Sequence, residues 1–352
     1  MLTNRVLSKV YNRLTMSLNN SINYTPSGSL QFDNLVNSRK YTSSETEVDY
    51  SSPQKFMESL GVKPGKYIEY ALGVTNVEPG VFRGNRIYVH NSRSIAFGGL
   101  LLGQAANAAC QTIPQNLYIN SLHNYFINAG QREPLTLQVT NEREGKSYCN
   151  KTVCATQNEK TVIKMQIAFK TNEAGSIEHQ WKMPECLLPE ELLPINKIFE
   201  DKIREEKYKH LKSRLPIDPT VEFRPVDPEE MLRVKTLPPK RLTWVKQLDD
   251  MSELNQNWHR CVLLYMSDYI LLSTSLLPNK DPLMKTFVVS LDHSVWFHND
   301  INVNEWLLYD TESSYAGNGQ SFNNGRFWSK DGTLLATVSQ SGIVRQLKEA
   351  SL

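Results

Sequence analysis

The chain has 352 residues, 40% of them hydrophobic and 22% charged, with 39 Lys and Arg against 37 Asp and Glu. That length allows two ordinary domains or one large one, and the composition excludes a disordered, collagen-like or low-complexity chain. No stretch approaches the roughly 20 apolar residues of a membrane-spanning helix, and a net charge of +2 does not suit a general nucleic-acid binder.

The charge is uneven along the chain. The first 32 residues hold Arg5, Lys9 and Arg13 and no acid, which leaves 36 basic against 37 acidic residues in the rest. Arg5, Lys9 and Arg13 recur at helical spacing, and Leu2, Val6, Val10 and Leu14 follow the same period on an adjacent face. An acid-poor amphipathic start of this kind is expected of an organelle transit peptide, and equally of a tail with a chance helix. Residues 1–52 therefore read as a leader or extension. The cysteines Cys110, Cys149, Cys154, Cys186 and Cys261 contain no CxxC pair and are odd in number, so neither a zinc site nor a disulfide framework is expected.

From about Pro53 the pattern is globular. Gly98-Gly99 opens Leu100 to Cys110, an Ala- and Leu-rich segment that predicts a helix lying close to a sheet. Strands are expected at Ser121 to Asn128 and Leu135 to Thr140, then at Ser147 to Thr156 and Thr161 to Lys170 around a polar turn. The stretch 184–241 carries many prolines and a charged helix, Asn196 to Arg214, whose charges spread around most of its surface. It reads as a connector with one surface helix. A buried helix is expected at Cys261 to Leu272, then strands at Val288 to His298, Glu305 to Glu312, Arg326 to Ser329 and Thr333 to Arg345. The turns at Asn158 and Lys330 align at an offset of 172, which argues for an internal duplication of a helix followed by a long meander. The expected units are a leader at 1–52, a first half at 53–183, a connector at 184–241 and a second half at 242–352.

Several phrases in fixed order resemble the type II acyl-CoA thioesterases of bacteria, peroxisomes and fungi. They are Val81-Phe82-Arg83-Gly84, Phe97-Gly98-Gly99 with Gly103-Gln104, and His123-Asn124-Tyr125-Phe126. In the second half come Tyr265-Met266-Ser267-Asp268, Ser290-Leu291-Asp292-His293-Ser294 with Trp296-Phe297-His298, Asn304 to Tyr309, and Ser339-Gln340 with Gly342. The resemblance covers about residues 54 to 346. It implies an α+β double hotdog, in which two antiparallel sheets each wrap a central helix. It also implies hydrolysis of acyl-CoA to fatty acid and CoA, without metal or other cofactor, by an Asp, a Ser or Thr, and a Gln. Carried over, these are Asp268, Ser290 and Gln340. Acyl-CoA is the expected partner, with a homo-oligomer left open and neither nucleic acid nor membrane insertion expected.

The chemistry suits these residue types. A thioester carbonyl is already electrophilic, so hydrolysis mainly needs a positioned and activated water. A buried Asp supplies the base, while a hydroxyl and an amide orient the water. The oxyanion is expected to meet a backbone N–H at a helix N-terminus. Attack by Ser290 itself is disfavoured, because on a regular strand His293, three residues on, faces the other side of the sheet. His123, His293 and His298 read as structural hydrogen bonders. The turn alignment places Gln104 near the position of Asp268 and Ala168 opposite Gln340, so the first half is expected to be non-catalytic and to serve the fold and the acyl pocket. Gly98-Gly99 could instead help hold CoA, and Arg83, Arg86, Arg93 and Lys146 are open candidates for its phosphates.

Two alternatives stand beside hydrolysis: a non-catalytic acyl-CoA-binding scaffold and a hotdog hydratase. A hydratase needs a paired Asp and His, and no suitable spacing in the sequence supplies one. The family resemblance leans to the peroxisome, although the tail Ala350-Ser351-Leu352 lacks the basic middle residue of a peroxisomal signal. The basic amphipathic start leans to the mitochondrion.

Overall fold

The computed structural model describes residues 49, 51–88, 95–215, 217–281 and 284–347. The expected leader at 1–52 lies almost wholly outside them. Helices α1 (Pro53–Ser59) and α2 (Tyr67–Leu72) precede strands β1 (Val74–Glu78) and β2 (Val81–Gly84). Helix α3 (Gly98–Cys110) leads into β3 (Tyr118–Phe126), β4 (Thr136–Arg143), β5 (Tyr148–Gln157) and β6 (Lys160–Lys170). Then follow α4 (Ile195–Lys202), β7 (Val221–Pro225), α5 (Glu229–Leu232) and β8 (Lys240–Gln247). The remainder is α6 (Gln256–Ser267), β9 (Thr286–Ser290), β10 (Asp292–Phe297), β11 (Leu307–Gly317), β12 (Gln320–Ser329) and β13 (Leu334–Gln346).

The strands form one antiparallel sheet that is joined at its middle by β3 and β10. Read outward from this seam, one half runs β3-β6-β5-β4-β2-β1 and the other β10-β13-β12-β11-β8-β7. The order repeats element for element, which is the duplication expected from the turns. Alternating burial along β5 and β6 leaves one face of the sheet for a helix to cover. The inner face packs on α3 and α6, and the two helices pack on each other.

Their close approach has a sequence cause. Gly99 and Gly103 are one turn apart on the face of α3 that meets α6. A Cβ added at Gly99 would lie 2.4 Å from the carbonyl of Tyr265, and one at Gly103 3.3 Å from that of Cys261. The N-terminal part of α6 is pinned across the seam. The Asn257 side chain accepts from the Ile119 N–H and donates to the Leu117 carbonyl, and Arg260 Nη1 donates to the Ile119 carbonyl at 2.7 Å.

Three details differ from expectation. The 184–241 stretch is more than a connector, because β7 lies within it and pairs with β8 at the sheet edge. The charged helix is broken into α4 and a 3-10 segment, Glu206–Arg214, and it buries Ile195, Ile198, Phe199, Tyr208 and Leu211. Its apolar residues are few but fall on one side, which the evenly spread charges concealed. The second central helix starts earlier, with Asn255 capping the N–H groups of Asn257 and Trp258, and ends before Asp268.

Gly99→Ala forces a methyl group against backbone that cannot swing aside. It is expected to lower stability by about 1–3 kcal/mol, read as a lower midpoint in chemical denaturation. An unchanged midpoint would show that α3 and α6 can part at no cost.

Candidate active site

Asp268 occupies the C-cap of α6, directly against the N-terminus of α3. The Gly99 N–H donates to Asp268 Oδ2 at 2.9 Å. A Cβ at Gly98 would sit 2.7 Å from the same oxygen, so the glycine pair is what lets helix and carboxylate meet. The other carboxylate oxygen, Oδ1, accepts from Gln340 Nε2 at 2.6 Å, and the same nitrogen donates to Ser290 Oγ at 2.8 Å. An ionised carboxylate only accepts, which fixes the amide with its nitrogen inward. Asp268, Ser290 and Gln340 are thus brought together by helix α6 and strands β9 and β13.

The Asp268 side chain is only 7% exposed. Burial pushes its pKa up to about 6, against the opposing pull of the Gln340 amide and the Gly99 N–H. Two residues on, Ile270 has a φ of 58°, a conformation that β-branched residues rarely adopt. The turn is clamped by Asp218, which receives the hydroxyls of both Tyr265 and Tyr269 on Oδ2 and the Thr220 and Val221 N–H groups on Oδ1. Asp218 belongs to the supposed connector, so that stretch holds the turn after Asp268 in place.

His293 corrects the strand argument. On β13 two residues separate Ser339 from Gly342, whereas three separate their partners Ser294 and Ser290. The extra residue makes a bulge at Leu291-Asp292 and reverses the alternation, so Ser290 and His293 share the inner face. The Asp292 carboxylate caps the bulge by accepting the Ser341 N–H at 2.9 Å. His293 Nδ1 consequently lies 3.9 Å from Asp268 Oδ1, in a residue with no solvent exposure. Burial pushes its pKa down to about 3, so the ring is neutral at neutral pH. No signal in the sequence marks this bulge, since Leu291 and Asp292 are ordinary strand residues without glycine or proline. Asn124, opposite His293 on β3, is buried with both amide atoms unpartnered among the described residues, and beyond its place in the His123-to-Phe126 phrase nothing in the sequence marks it.

Gln104 does not occupy a position like that of Asp268. It sits in the middle of α3, and its amide donates to the carbonyls of Ala71 and Asn85, which ties α2 and the end of β2 to the helix. The turn alignment misplaced it because the two central helices are closer in sequence than the two turns. The Gly98-Gly99 pair serves Asp268 directly, with the Gly99 N–H on its carboxylate. His123 and His298 bond Ser294 and Thr337, as structural histidines should. Arg83, Arg86 and Lys146 are exposed, and Arg93 lies outside the described residues. A cavity of about 900 Å³ lies at the opposite, N-terminal end of α6 beside Gln247 and His259, and none of the three candidate residues lines it. Among the described residues no group of three or more His, Cys, Asp or Glu is placed to hold a metal.

Comparisons with known proteins show the family. Residues 215–343 match the family described as acyl-CoA thioesterase, and residues 88–170 match the acyl-CoA thioesterase N-terminal domain. Human acyl-coenzyme A thioesterase 8 is 34% identical over 294 residues, which span 79% of this chain and 91% of that protein. The chain belongs to the acyl-CoA thioesterase family. It is therefore a thioester hydrolase. The peroxisomal acyl-coenzyme A thioester hydrolase 1 of Saccharomyces cerevisiae is 27% identical over 70% of this chain and 85% of its own. The crystal structure of an acyl-CoA thioesterase II from Mycobacterium marinum superposes with a TM-score of 0.64 at 28% identity, covering 81% of this chain and 99% of that one. The double hotdog fold follows.

Because the Gln340 amide favours the ionised carboxylate, Gln340→Ala should move the Asp268 titration above about 6. Carbon-13 titration of the labelled carboxyl group reads this directly. A downward move would show that the amide does not face the carboxylate.

Proposed function

We propose that this thioesterase works through a water activated by Asp268 and oriented by Ser290, with Gln340 fixing both. The observation that carries the reading is the bifurcated donation from Gln340 Nε2, one hydrogen to Asp268 Oδ1 and one to Ser290 Oγ. Both hydrogens of the amide nitrogen are used in this way, so Gln340 orients its two partners and need not touch the water through that nitrogen. Asp268 accepts one hydrogen of the water and Ser290 Oγ, with a lone pair to spare, accepts the other. The water's own lone pair is then left for the thioester carbon.

As the carbon–oxygen bond forms, the proton passes to Asp268. When the carbon–sulfur bond breaks, Asp268 returns it to the CoA sulfur. A carboxyl with a pKa near 6 is basic enough to take that proton and acidic enough to give it to a thiolate, whose ordinary pKa is about 8.5. Ser290 is a poor nucleophile here. Its hydroxyl oxygen receives the Gln340 amide, and among the described residues no base is hydrogen-bonded to it. The half that holds α3 and β3 contributes the Gly99 N–H and, among the described residues, no carboxylate–hydroxyl–amide set of its own, which supports a division into a catalytic half and a supporting one.

Acyl-CoA hydrolysis supports a role in fatty-acid metabolism, and the similarity to a yeast protein named peroxisomal favours the peroxisome. Separate fusions of each chain end to a fluorescent reporter test that address against the mitochondrion.

Asp268→Ala should lower kcat by about 10²–10⁴ in a thiol-release assay with long-chain acyl-CoA. In the unaltered enzyme the base must be deprotonated, so log(kcat/KM) should fall with unit slope below about pH 6 and level off above it. Full turnover by Asp268→Ala would overturn the reading.

A further inference from the structure

The ring of His293 lies between the Ser267 hydroxyl and the Asp268 carboxylate. Ser267 Oγ is 2.9 Å from the Leu264 carbonyl and 2.8 Å from His293 Nε2. When its one hydrogen goes to the carbonyl, Oγ accepts from Nε2, and the proton of the neutral ring is then on Nε2. Nδ1 has no hydrogen-bond partner among the described residues and lies 3.9 Å from Asp268 Oδ1. Ser267 is itself held in place, because Tyr309 donates its hydroxyl to the Ser267 carbonyl at 2.6 Å.

We propose that His293 is a positioning residue for Asp268, held by Ser267 as the Nε2–H tautomer so that its Nδ1 lone pair faces the carboxylate and receives the hydrogen bond of the protonated acid. This rests on the reading of Asp268 as the base. A lone pair aimed at a carboxylate disfavours the ionised form and favours the acid, because only the acid can donate to it. When Asp268 takes the proton of the water, the carboxyl turns that hydrogen toward Nδ1 and the gap closes, as catalytic contacts that are long in the resting enzyme do. No proton leaves the pair: Asp268 keeps it until the CoA sulfur collects it.

The neighbourhood supports this assignment. Asp268 is faced by Gly99 from α3, Ser290 from β9, His293 from β10, Gln340 from β13 and Tyr309 from β11. His293 is faced by Ser267 and Asp268 from α6 and Asn124 from β3. The ionisable members besides Asp268 and His293 reduce to Tyr309, whose phenol burial keeps protonated. An imidazolium at this place would have the opposite effect, drawing the carboxylate into an ion pair and weakening it as a base.

The sign of one shift separates these cases. His293→Gln keeps an amide donor for Ser267 and removes the Nδ1 acceptor. The acid limb of kcat/KM should then move down by about one pH unit, with a lower plateau, as a weaker base requires. An upward move would mean an ion pair, and an unmoved limb would mean a purely structural histidine; either overturns the proposal. Nitrogen-15 correlation spectra of the unaltered full chain at pH 7 give a second reading that needs no variant. They should show His293 with Nε2 protonated and Nδ1 bare, and a proton on Nδ1 overturns the proposal even if His293→Gln fails to fold. Carbon-13 titration of Asp268 follows the shift without turnover. If that shift appears while Asp268→Ala still hydrolyses acyl-CoA, the tautomer stands and the base assignment is what fails.

Discussion

A carboxylate buried at the wrong end of a helix is the constraint around which this molecule is arranged. Asp268 caps the C-terminus of α6, where the helix dipole and burial both oppose its charge. It stays usable because the N-terminus of α3 meets it head-on through the Gly99 N–H, and because Gln340 spends one amide hydrogen on it. The balance leaves its pKa near 6, between that of a free carboxyl and that of a thiol. A more generous set of donors would make the carboxylate too weak a base, and fewer would leave it protonated at neutral pH.

Several distant features follow from that junction. Gly98 and Gly99 lack side chains because the space belongs to Asp268, Phe126 and the Tyr265 carbonyl. The Asn257 and Arg260 contacts to β3 fix α6 across the seam, so the two halves cannot slide and separate Asp268 from Gly99. Asp218 reaches in from the stretch between the halves to hold Tyr265 and Tyr269 on either side of Asp268, and this offsets the strained φ at Ile270. The half that holds α3 is thus part of the proposed site, since it provides the helix N-terminus.

The elements that rest on periodicity and composition were legible in the amino-acid sequence. The Ala-rich helix behind Gly98-Gly99, the meander and the duplication all appear where local pattern put them, because half-buried strands alternate and a helix that must lie close to its neighbours is built from small residues. Asp268, Ser290 and Gln340 were legible only as a family resemblance, for none of them differs from an ordinary cap, strand or surface residue when taken singly. His293 was misread. Its face depends on a single extra residue at Leu291-Asp292, and a bulge without glycine leaves no mark in composition. The burial of Asp218 and of α4 escaped notice for a related reason. Both depend on tertiary partners far away in the chain, while the prolines and charges around them suggested a solvated linker.

The central claim is that Asp268 acts as a base on water and is not itself the nucleophile. A single turnover in water enriched in oxygen-18, with enzyme in excess over acyl-CoA, tests this most directly. Direct attack by water places the heavy oxygen in the fatty acid at the first turnover and none in the peptide that carries Asp268. A first-turnover product with ordinary oxygen, with the label appearing in the Asp268 carboxyl group, would mean an anhydride at Asp268 and would contradict the account.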